Sequence, residues 1–90
     1  MRTQRVTAVD LEKGRIRLPH PAKECFPSAP GVVRVVLRGT PLEASYDPRF
    51  GPDRERSAVL SIGRDVLRGL VQTDEVLEIR PLADGSVELK

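Results

Sequence analysis

The sequence has little of what builds catalytic or covalently stapled proteins: one cysteine, one histidine, no tryptophan and three aromatic residues in 90. A lone cysteine cannot close an internal disulfide, which excludes a bridge-stapled secreted scaffold, and it cannot found a cysteine-based zinc site. Long apolar runs are also missing. The longest uncharged stretch, Cys25 to Val33, is interrupted by Pro, Ser and Gly, whereas a membrane-spanning helix needs roughly 20 consecutive apolar residues. The opening MRTQRVTAVDLEKG holds no apolar leader core, so the reading at this point is a cytoplasmic protein without a membrane partner. A chain of this length makes one small domain, residues 1–90, that hides roughly 60% of its unfolded surface and leaves no room for a separate catalytic domain.

Net charge is scarce as well, +2 from 15 basic and 13 acidic side chains. Its distribution is uneven. Residues 1–73 carry 13 basic and 8 acidic groups, while residues 74–90 carry two and five. Twelve of the basic residues are Arg, whose planar fork suits phosphates and guanine edges better than an ammonium does.

Eight Pro and seven Gly are spread along the chain and cut it into strand-sized pieces. Gln4 to Leu11 is rich in Val and Thr, Glu12-Lys13-Gly14 supplies a turn, and Arg15 to Leu18 alternates with period two; the pair reads as a β-hairpin. His20 to Phe26 predicts one or two helical turns with Pro21 near the start. Val32 to Leu37 is the strongest strand signal, with Val33, Val35 and Leu37 facing the core and Arg34, Val36 and Arg38 opposite. Pro41 to Tyr46 follows as a strand, Asp47 to Arg56 as a charged loop, and Ser57 to Ile62 as a strand. Gly63 to Val71 predicts a short helix with Val66, Leu67, Leu70 and Val71 on its apolar stripe. Asp74 to Arg80 and Ser86 to Leu89 form a closing hairpin. The expected fold is mainly β: a small mixed or antiparallel pseudobarrel of about seven short strands with two short helices, closed to hide its edges, the opening and closing hairpins meeting across it.

Catalysis finds little footing. His20 and Cys25 lie close in sequence, but nothing fixes them within hydrogen-bond reach of each other and of a third orienting group. Asp53 and Glu55 are too near one another for the acidic pair of a Mg²⁺ nuclease, with Arg56 where a lysine is usual. No phosphate-binding glycine loop occurs. The expectation is a non-enzymatic protein without a cofactor or metal.

What remains is a basic constellation: Arg15, Arg17, Arg34 and Arg38 on strands, Arg49, Arg54 and Arg56 on the loop, Arg64 and Arg68 on the helix. About six phosphate contacts from such a set give strong, salt-dependent affinity for double-stranded DNA. Asp47, Asp53 and Glu55 oppose this reading, since they can instead neutralise the loop's own arginines. Phe50 is either an anchor under Gly51 or an exposed contact. Single-stranded binding is less attractive because Phe26, Phe50 and Tyr46 offer few stacking platforms.

The segment Gly14-Arg15-Ile16-Arg17-Leu18-Pro19, the short helical piece ending at Phe26-Pro27, and GRDVLRGLV leading into DEVLEIR together resemble the DNA-binding pseudobarrel group, which includes the B3-like domains. VDLEKGRIRLP is also similar to the hairpin of AbrB-type swapped-hairpin transcription factors, a resemblance that implies a dimer. B3-like domains grip the major groove with two arms. By that analogy Arg15 and Arg17 belong to the first arm and Arg49, Arg54 and Arg56 to the second. The chain departs from the group in carrying Thr73-Asp74 where glycine-aspartate is usual and in lacking the tryptophan common in plant members.

Two functions follow as expectations: a duplex-DNA-binding module acting in transcription regulation, or a protein-interaction or assembly module, including self-association, that uses the 47–56 loop and the strand faces. The first expects Arg34, Arg38, Arg54, Arg56 and Arg68 to converge on one concave face. The second expects arginines dispersed and paired with acids.

Overall fold

The computed structural model describes residues 1–49 and 57–90. Its elements are α1 (Ala8–Lys13), β1 (Arg15–Leu18), a 3₁₀ turn (His20–Cys25), β2 (Gly31–Leu37), β3 (Thr40–Asp47), β4 (Ala58–Ser61), α2 (Arg64–Leu70), β5 (Ile79–Pro81) and β6 (Val87–Leu89). The six strands make one mixed sheet, curled into a half-barrel, in the order β1-β4-β3-β2-β6-β5. No helix among the described residues is long and apolar enough to cross a membrane.

The valine-rich centre forms the framework. β2 and β3 pair antiparallel from Gly31↔Tyr46 to Leu37↔Thr40, joined by the two-residue turn Arg38-Gly39, both with positive φ (48° and 83°). That backbone twist matches the twist of the flanking strands. Val35, Leu37, Ala44 and Tyr46 are buried while Arg34 and Glu43 are exposed, the period-two pattern expected of a sheet wet on one face. β6 adds to β2 in parallel, and β5 closes antiparallel on β6. Inside the curl, Ile16, Leu18, Leu60, Leu77 and Leu89 are fully buried, each contributing about 1.5–3 kcal/mol of burial. The rings of Phe26 and Tyr46 stack at 4.8 Å between centroids. Burial, together with neighbouring Asp47, pushes the Tyr46 hydroxyl pKa up.

The predicted opening hairpin is corrected. Residues 8–13 are helical, because Thr7 and Asp10 form a reciprocal capping box and Gly14 ends the turn in the left-handed region at φ 69°. Thr-x-x-Asp followed four residues later by Gly is a helix start and stop, and it outweighs the Val and Thr content that reads as strand. Gly14 is needed twice over. A Cβ there would lie 2.4 Å from the Arg64 amide nitrogen, and its carbonyl accepts from the Ile62 and Gly63 amides at 2.8 and 3.0 Å.

Residues 1–6, freed from the hairpin, tie the two sheet edges together. The Gln4 amide donates to the Arg17 carbonyl on edge strand β1, while the Thr3 and Ile79 amides bond Leu77 and Met1 carbonyls beside the other edge strand, β5. The Leu77 amide donates in turn to the Thr3 hydroxyl at 3.0 Å. Backbone groups that would lie open on both edges are thereby satisfied.

Candidate nucleic-acid interface

Sheet register lays the outer face out in rows. Arg17 stands opposite Val59, which stands opposite Asp47; antiparallel spacing puts Arg17 and Asp47 about 10 Å apart across three strands. The neighbouring row runs Arg15, Ser61, Ser45, Val32. Both β1 arginines therefore sit at the sheet end from which the β3–β4 connection leaves. Where that connection begins, the Arg49 amide donates to Asp47 Oδ1 at 2.9 Å and Arg49 itself takes a positive φ of 52°.

A polar network holds this corner. The Asp10 carboxylate, 1% exposed, accepts from the Thr7 amide on Oδ2 (3.0 Å), from Arg15 Nε on Oδ1 (3.0 Å), and from Arg17 Nε on both oxygens (3.0 and 3.1 Å). Burial opposes its ionisation, but the Thr7 amide and the two guanidiniums outweigh that and hold its carboxyl below the usual range. Arg17 reaches further: Nη1 donates to Gln4 Oε1 (3.0 Å) and Nη2 to the Arg5 carbonyl (3.2 Å). Gln4 Nε2 in turn donates to Ser57 Oγ, the residue just before β4. One chain of bonds thus links the N-terminal segment, α1, β1 and the far root of the β3–β4 connection.

Of the arginines singled out in the sequence, Arg15 and Arg17 meet here, with Arg49 at the near root of the connection. Arg64 joins them by its backbone, which packs on Gly14; its side chain is exposed, 4.0 Å from Asp65. Arg68, one turn along α2, is exposed. Arg54 and Arg56, with Phe50, Asp53 and Glu55, lie outside the described residues. Arg34 and Arg38 stand apart. Arg34 faces Glu43 in register and lies near Asp84, whose carboxyl is held low chiefly by Ser86 and in smaller part by Arg34. Arg38, at the opposite end of the eight-residue β3, donates to the Leu70 carbonyl (3.3 Å) and to Glu75; that bond and the Gln72 amide hold the Glu75 carboxyl low.

Gln4, Arg5, Asp10 and Ser57 of the corner were not legible as site candidates. Gln4 and Arg5 read as strand residues in the sequence, and only the pairing of the N-terminal segment with β1 brings them beside Arg17. Of the other chemical candidates, His20 is exposed at the first position of the 3₁₀ turn and Cys25 is half-buried at its last. Compared with protein-family models and with curated proteins, the chain matches none.

Proposed function

We propose that the chain is a non-enzymatic duplex-DNA-binding module whose grip centres on the β1 corner, with a role in cytoplasmic transcription regulation. The observation that supports this reading is the shared placement of the two arms. Arg15 on one side, and the two roots of the β3–β4 connection on the other, occupy the same end of the outer sheet face, and Asp10, Arg17 and Gln4 brace Arg15 and link it to the far root at Ser57. Cationic side chains held at one rigid end of the sheet can follow a phosphate backbone.

Titration of a labelled duplex against salt tests this. Binding is expected at low ionic strength, falling linearly in log–log form with about 0.9 in slope per phosphate contact. A duplex that stays unbound at low salt overturns the reading.

A second reading has its own support on the other half of the sheet. Arg38 and Arg80 are paired with Glu75 and Glu88, a neutralised surface that suits protein contact or self-association better than DNA. Light scattering of the free protein and of its duplex mixture separates the two.

A further inference from the structure

We infer that Asp10 is a positioning residue that gives the two β1 arginines different roles: it aims Arg15 outward as the phosphate fork and locks Arg17 into the fold. The inference rests on the duplex-binding reading and deepens it. An ionised carboxylate offers about four acceptor positions, and Asp10 engages three N–H donors, from Thr7, Arg15 and Arg17, the last shared between both oxygens. Its charge is therefore spent inside the network.

The two guanidiniums are spent unequally. Arg17 uses Nε, Nη1 and Nη2, on Asp10, Gln4 and the Arg5 carbonyl. Arg15 uses Nε alone; among the described residues neither of its Nη atoms is hydrogen-bonded, and since the two side chains are about equally exposed, 25% and 28%, the difference between them lies in the donors left over. Holding the Nε–H on Asp10 restricts the planar guanidinium while leaving its Nη1–Nη2 edge without a hydrogen bond among the described residues. That edge matches two phosphate oxygens. The rotamer entropy an arginine normally loses on binding is already lost in the free protein, so the contact is preorganised.

The test is a double-mutant cycle on duplex affinity with the full chain. D10N removes a negative charge, so Asp10 acting only as a repulsive neighbour predicts tighter binding; positioning predicts weaker binding by about tenfold, the worth of one well-oriented charge-assisted contact. R15K keeps the charge but not the fork and should weaken binding by a similar factor. In the R15K background, D10N should add nothing further. R15Q should reduce the salt slope by about 0.9, whereas R17Q should lower the melting temperature and leave the slope unchanged. If D10N fails to fold, the R15Q and R17Q slopes carry the test. Equal slopes for R15Q and R17Q, or unchanged or tighter binding by a folded D10N, overturn the assignment while leaving duplex binding by the wild type intact. A wild type that does not bind sinks the DNA reading and the assignment with it.

Discussion

Asp10 concentrates the chemistry of this protein in one carboxylate. It caps α1, receives both β1 arginines and is closed to solvent. Its folded-state pKa lies below the unfolded one, so the stabilisation it brings is complete above about pH 4 and is lost as pH falls through the lower, folded value. The wild type should therefore lose melting temperature in that acid window. D10N should start lower at neutral pH and fall less, so that the two curves draw together in acid. Parallel melting curves across the window would contradict this account of the residue. The same position shows what was legible at the residue scale: the sequence sorts its arginines into arms, Arg15 with Arg17 and Arg49 with Arg54 and Arg56, but spacing in one chain does not reveal which guanidiniums a buried acid will consume.

Elements were legible where one pattern governed a whole segment. The alternation in Val32–Leu37 and the Ala-Asp-Gly turn before β6 appear as expected, and α2 forms where expected, though of its expected apolar stripe Val66 is exposed and Val71 lies past the helix end. The opening segment was misread because two patterns overlap in it. Val6, Thr7 and Val9 favour a strand, whereas Thr7, Asp10 and Gly14 mark both ends of a helix, and the caps prevail since each satisfies backbone groups that would otherwise lie open. The expected strand at 74–80 likewise shortens to Ile79–Pro81, because residues 74–77 bond the N-terminal segment, an outcome set by long-range contacts. The junction of α1 and β1 with α2 depends on Gly14. Gly14→Ala should cost about 2–4 kcal/mol, from a left-handed backbone and a clash with the Arg64 amide together; a denaturant midpoint within error of the wild type would contradict the packing described.

Across the whole molecule, the small net charge of +2 is sorted by the fold. The acidic closing segment takes up arginines on its own side: Glu78 pairs with Arg2, Glu75 with Arg38 and Glu88 with Arg80. Exposed pairs of this kind add little stability, but they neutralise the β5–β6 half of the surface. The β1 corner keeps Arg5, Arg15, Arg17, Arg49 and Arg64 near three aspartates, one of them buried within the network. On the duplex-binding reading, the β1 corner is then the side proposed for the anionic partner. Strand faces alone do not show that Arg38, at the β2–β3 turn, stands about 23 Å from the start of the β3–β4 connection along the eight-residue β3.

The most direct test of the central claim is amide chemical-shift mapping of the full chain on addition of duplex DNA at low salt. The account predicts perturbations concentrated on Gln4, Arg5, Arg15, Arg17, Ser57 and Ser61, with Arg80, Glu88 and Val36 unmoved; perturbations centred on the β2–β6–β5 face, or none at saturating duplex, would contradict it.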